Sequence, residues 1–294
     1  MTLNINKHKG VALIQVLLIS AILSLLAIQL NKSAKINTKL TAAFAQKTEA
    51  LINLRDSESF LYYQLLTKDS NGENLLADMN YYGESFLLNE HTTVTIQDTA
   101  GLNNLHYPNK SIIEKWASYN NFEANLADRV VNQLKDWQDK DSEALIDGAE
   151  SETYARYGYS SANVKLSSVE HLSYLLALNS EQAKALADIS TVNAYTPLNP
   201  YHFPKKLLLI HYGESKTEQI MQLRTINEIT YALFSAITGD SEDEDKSFRI
   251  SPYFKITFTV EQGHSKLTKQ AIVELVPFFK PGQAAISKLY AQVN

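Results

Sequence analysis

The chain of 294 residues contains no cysteine. No disulfide can staple it, so any folded domain must be held by core burial, aided by a bound metal ion if one is present. Glycine and proline are missing from the whole stretch between Val11 and Asn71. That excludes tight turns there and favours a single long helix. The net charge is only −5 and the basic residues form no stripe, so a nucleic-acid partner has no electrostatic support. No G-x-S-x-G, H-E-x-x-H, P-loop or dinucleotide fingerprint occurs, and the histidines make no metal-spaced pair. With no nucleophile or general acid–base pair in view, the composition points away from an enzyme.

What is present starts at the N-terminus. Lys7 and Lys9 precede Gly10, and an uncharged apolar run follows from Val11 to Leu30. As a helix this run would span about 30 Å, enough to cross the hydrocarbon core of a bilayer. An ordinary secretory signal is cut beyond its apolar core beside small residues. Here the best such site, Ala43-Phe44-Ala45, lies well past the run. A short basic leader ending in glycine directly before the apolar segment instead reads as a prepilin-type leader, cut between Gly10 and Val11. A plain uncleaved anchor is the alternative. Lysines on both sides of the span (Lys7 and Lys9 before, Lys32, Lys35 and Lys39 after) leave the orientation open to charge counting. Gln15, Ser20, Ser24 and Gln29 within the span suit a helix that will pack against other helices.

Beyond the span, Ile36, Leu40, Ala43, Phe44, Leu51, Leu54, Leu61 and Leu65 recur at helical spacing, a stripe that must lie on something. Asn71-Gly72 is the expected helix end. Phe86–Leu88 and Thr92–Ile96 read as a hairpin around Asn89-Glu90-His91. Four short helices are expected over 112–119, 125–137, 168–178 and 180–189, the last opened by Asn179 as N-cap. Pro197, Pro200 and Pro204 mark an extended linker, a helix is expected over 217–237, and the remainder alternates as strands over 248–250, 253–260 and 271–276, with Gly263 in a turn. Two strand groups flanking a helical block suggest an insertion into a sheet.

The most specific polar cluster is Asp139, Asp141, Glu143, Asp147 and Glu150. Counted from Asp139 these fall at positions 1, 3, 5, 9 and 12, the ligand spacing of an EF-hand loop. Ala144, however, stands where the sharp turn needs glycine, so a calcium loop of another geometry is the expectation, with Asp139, Asp141 and Glu150 as ligands for Ca²⁺. A solvated acidic loop is the competing reading. The denser run Asp240 to Asp245 reads as a solvated loop.

Four stretches together resemble the minor pseudopilin K family of bacterial type II secretion systems: Gly10-Val11-Ala12-Leu13-Ile14; Asp98-x-x-Gly101-Leu102-Asn103; Trp137-x-Asp139-x-Asp141 with Gly148-Ala149-Glu150, Tyr154 and Leu166–Leu172; and Thr196–Pro200 with Ser251-Pro252-Tyr253-Phe254. The resemblance implies an α+β, pilin-like fold: a long N-terminal transmembrane helix packed on an antiparallel sheet, with a large all-helical domain inserted in the sheet. The implied divisions are a leader (1–10), the pilin helix (11–71), a first part of the sheet domain (72–100), the helical insert (101–205) and a second part of the sheet domain (206–294). It also implies cleavage by a prepilin peptidase, methylation at Val11, and a single-pass subunit of the inner membrane whose C-terminal domain is periplasmic. The family's role is to sit at the tip of the pseudopilus with the I and J types of minor pseudopilin and to start assembly on the major pseudopilin and the inner-membrane platform, supporting export. Gln15 fits that place, because interior pilins carry glutamate at the matching position to neutralise a neighbour's amino terminus. The departures are Asn199–Pro204 in place of the family's N-x-N-T-A-P stretch, and Val11 in place of phenylalanine. A minor pilin of a type IV-like surface pilus and a membrane-anchored periplasmic binding protein or enzyme are the competing functions.

Overall fold

The computed structural model describes residues 9–67, 78–193, 197–276 and 285–293. One helix, α1 (Lys9–Thr67), runs unbroken for 59 residues, about 90 Å at the usual rise. The expected end at Asn71-Gly72 lies outside the described residues. The apolar stripe is divided in its environment. Ala50, Leu54, Leu61 and Tyr62 are buried, whereas Ile36, Leu40, Phe44 and Leu51 are exposed, so only the C-terminal part of the helix lies on this chain's own sheet.

That sheet is antiparallel, with strands in the order β1-β2-β5-β6-β7: β1 (Tyr82–Asn89), β2 (Thr92–Asp98), β5 (Tyr253–Gln262), β6 (Ser265–Leu275) and β7 (Ile286–Val293). The hairpin expected around Asn89–His91 is present, and Asn89 Oδ1 accepts from the His91 amide at 3.0 Å. β5 alternates strictly, so Phe254, Ile256, Phe258 and Val260 all point into the core beneath α1. Each contributes about 2 kcal/mol by leaving water. Polar contacts set the position of the helix: Ser57 Oγ and Thr92 Oγ1 lie 2.9 Å apart, and Asn89 Nδ2 donates to Ser57 at 3.0 Å. β7 was not expected from sequence. It is a half-exposed edge strand, and without a buried face its pattern carries little period-two signal.

The inserted block separates two strands that are neighbours in the sheet, since Asp98 at the end of β2 pairs with Phe254 at the start of β5. Along it lie the two-residue β3 (Asn103–Asn104), α2 (Lys110–Tyr119), α3 (Leu126–Gln138), α4 (Ser151–Ala155), α5 (Ser180–Ala187) and the two-residue β4 (Ser190–Thr191), which pairs in parallel with β3. They are followed by α6 (Lys205–Tyr212), α7 (Glu214–Thr225) and α8 (Tyr231–Thr238). Asn179 caps α5 in a reciprocal capping box with Gln182, as its sequence suggests.

Several expectations are corrected. The segment 168–178 forms only a 3₁₀ turn, Val169–Tyr174. The single helix expected over 217–237 is two, broken where Asn227 takes φ +54°. Residues 248–250 are not a strand, and Phe248 is buried in the helical core. The boundary expected at 205/206 also shifts: Leu207, Leu208, Ile220, Phe234 and Phe248 share the insert's core with Trp116, so the helical body extends almost to β5. Apolar burial, rather than the proline-rich linker, sets the edge of the domain.

Candidate functional site

Two parts of the chain carry features beyond packing. The first is the start of α1, where the apolar residues from Val11 to Leu30 face outward. Among the described residues this is the one helix long and apolar enough to cross a membrane, with a mean hydropathy of 2.8 over its best window. Gln15 lies exposed on this segment, and Gly10–Val11 falls in its first turn. Residues 1–8 of the leader lie outside the described residues.

The second is a carboxylate cluster in the insert. Asp136 lies in the last turn of α3, Asp139 is the residue that ends that helix, and Glu150 precedes α4 after an irregular loop. One oxygen from each of the three lies within 4.8 Å of the others. Asp136 is fully buried and Glu150 is 5% exposed. The Leu145 amide donates to both oxygens of Asp136, at 3.3 and 3.1 Å, which draws the loop back over the helix end. Asp147 at φ +58° makes the bend. Gly148 lets the loop come this close, because a Cβ there would sit 1.9 Å from Asp136 Oδ2 and force one of them to shift. Beneath the cluster the Trp137 ring meets Tyr154 edge-on, with centroids 4.9 Å apart.

Among the described residues no ion pair balances these charges. Asp139 Oδ1 and both carboxylate oxygens of Glu150 are buried without a hydrogen-bond partner. Burial, then Asp139 and Asp136, push the Glu150 carboxyl up from its ordinary value. Burial and then Asp141 do the same to Asp139. For Asp136 burial again leads; the amides of Leu145 and Ala149 oppose it, and Asp139 and Asp141 add to it. Buried carboxylate oxygens that converge without donors are a poor arrangement for a bare protein and a good one for a hard cation, which takes oxygen ligands. The residues therefore fit Ca²⁺.

The three carboxylates that converge are not the three named from the sequence. Asp139 and Glu150 meet as the sequence suggests. Asp141 does not join them: it is exposed, and its Oδ1 accepts from the Glu143 amide at 2.9 Å. Asp136 takes its place. Its signal was available in the spacing, since Asp136 and Asp139 lie three apart at a helix end and so share a face.

Comparison with known proteins bears on both parts. Residues 113–194, which hold the carboxylate cluster, match the family described as type II secretion system (T2SS), protein K. A chain from the crystal structure of the GspK–GspI–GspJ complex of the enterotoxigenic Escherichia coli type 2 secretion system matches in fold, with a TM-score of 0.57. The two are 14% identical, and the match covers 86% of this chain and 99% of that one. Among curated proteins no match is found. The insert therefore carries the type II secretion system protein K signature, and the long apolar helix, antiparallel sheet and helical insert together share the fold of that chain of the GspK–GspI–GspJ complex.

Proposed function

We propose that this subunit sits at the tip of a secretion pseudopilus, starts its assembly and supports export across the outer membrane. The observation that carries this reading is the helical insert, which begins where β2 ends and returns only at β5 and holds the protein K signature. A head enlarged by that much is hard to stack at every step of a thin filament and is easily carried once, at its end. Gln15 agrees with that place. It cannot supply the negative charge that an incoming subunit's amino terminus would need inside an apolar filament core.

In this reading a prepilin peptidase cuts between Gly10 and Val11, the new amino terminus is methylated, and α1 stays in the inner membrane with the rest of the chain in the periplasm. The exposed stripe of α1 (Ile36, Leu40, Phe44 and Leu51) is then the surface for neighbouring helices of the I-type, J-type and major pseudopilins. Asp136, Asp139 and Glu150 hold a Ca²⁺ ion that ties the 139–150 loop to the end of α3. Bound there, the ion supplies the positive charge that the three carboxylates lack.

Full-length protein carrying a C-terminal tag, co-produced with I- and J-type pseudopilins and extracted from membranes, tests the reading. The mature chain should begin at Val11, co-purify with both partners and label one end of the pseudopilus. Chains beginning at Met1, or label spread along the filament at the density of the major subunit, would overturn it.

A further inference from the structure

The joint between the sheet and the insert is built around one buried carboxylate. Asp98, the last residue of β2, is fully buried. Its Oδ1 accepts from the Ala100 amide at 2.9 Å and from Ser251 Oγ at 2.5 Å. Its Oδ2 faces His202 Nδ1 at 2.6 Å and the Ser251 amide at 3.1 Å. Asn199 Nδ2 donates to the Arg249 carbonyl at 2.9 Å and lies 2.9 Å from His202 Nδ1, so it joins the same polar group. One side chain thereby gathers three crossings of the joint: the chain entering the insert, the 3₁₀ turn Pro200–His202, and the chain returning to β5. Gly101 permits this closeness, because a Cβ there would come within 2.3 Å of the His202 carbonyl oxygen.

A second connection lies to one side. Arg224 on α7 is almost wholly buried, donating to the carbonyls of Phe203 at 2.9 Å and Tyr201 at 2.7 Å, on either side of His202. Its guanidinium lies 3.9 Å over the ring of Tyr82 at the start of β1. Gln97 Nε2 adds a bond to the His202 carbonyl at 3.0 Å. A polar chain thus runs from β1 through Arg224 to His202 and Asp98. The apolar cores on either side share no residue, so little apolar packing fixes the angle between them.

We infer that this polar chain is an orientation lock, in which Asp98 is the pivot and the Arg224–Tyr82 stack is a strut that stops rotation about it. One attachment point leaves a body free to turn, and two hold it at one angle. Without the lock each core keeps its own apolar packing while the insert swings on the sheet. The inference is independent of the secretion role, because it concerns geometry within one chain.

The absence of cysteine makes the test direct. Lys184→Cys on α5 and His264→Cys in the β5–β6 turn, both exposed, take spin labels for a pulsed electron–electron distance measurement on the full-length protein in detergent. The parent pair should give one narrow distance distribution. Tyr82→Ala, at the sheet edge, should broaden it about two-fold, and His202→Phe, which keeps the ring beside Tyr81 and Tyr201, should broaden it further. Helical content by circular dichroism should stay unchanged in both variants. Distributions as narrow as the parent's in both variants would overturn the lock. So would loss of helical content in Tyr82→Ala, since it would show that the strut holds the fold and not the angle.

Discussion

Two buried carboxylate sites in this chain have opposite completions. In the sheet domain Glu58, on α1, receives Lys269 Nζ at 2.5 Å, Lys288 Nζ at 2.7 Å and the Tyr62 hydroxyl at 3.0 Å. Burial pushes its carboxyl up, but those three donors outweigh burial and hold it below the ordinary 4.5. In the insert, Asp136, Asp139 and Glu150 meet among themselves, and among the described residues none of them is in an ion pair. The first site carries its counter-charge on β6 and β7 and so fastens α1 to the sheet. The second leaves its counter-charge to the solution. A carboxylate satisfied from within serves the fold, whereas carboxylates left converging and unsatisfied prepare a place for a cation.

The largest expected effect comes from supplying that cation. Free Ca²⁺ at about a thousand times its dissociation constant should stabilise the protein by about 4 kcal/mol through mass action. Chelator should reverse the gain in a thermal melt. Asp136→Asn and Glu150→Gln should each lose most of the response, while Asp141→Asn should keep it. A melting temperature indifferent to millimolar Ca²⁺ would erase the contrast between the two sites.

Next in size is the opposite test, removal of the internal partner. Glu58→Gln leaves Lys269 poorly solvated and uncompensated, and should cost about 2 kcal/mol, less than the ~3–5 kcal/mol of a fully buried pair because Lys288 is half-exposed. The pH dependence has a definite sign. The folded-state value of Glu58 is lowered, so its stabilisation is fully present above the unfolded value of 4.5 and is lost as pH falls through the folded value. Chemical denaturation of parent and variant should therefore converge on acidification below that point. A gap that stays constant across that range would mean that the ion pairs contribute nothing.

Smallest is Gly148→Ala, a single methyl placed against Asp136. Without metal it should cost about 1 kcal/mol as the loop shifts, and it should also weaken the Ca²⁺ response. A variant with an unaltered metal response would show that the loop has room that its closeness to Asp136 denies.

Local chemistry carried much of this into the sequence. The long helix was legible because nothing between Val11 and Asn71 interrupts it, and the two hairpins because alternation meets turn residues at Asn89–His91 and Gly263. Asn179 announced α5 through its own cap. Asp139 and Glu150 stood out by their spacing, and the Asp98-x-x-Gly101 stretch that forms the joint by its resemblance to the protein K family. What remained hidden depends on contacts distant along the chain. Asp136 joins the carboxylate cluster only because the 139–150 loop folds back on it, and Asp141 stays outside because its own turn leaves it in solvent. The helices over 205–238 belong to the insert because their apolar faces find Trp116 and Phe203. Period and propensity act within a few residues and are written in order along the chain, so the sequence by itself determined the long helix, both hairpins, most of the shorter helices and two of the three clustered carboxylates. Burial and charge balance depend on groups brought together from far apart, and only the tertiary structure decided which carboxylates found cations within the chain and which were left to wait for one.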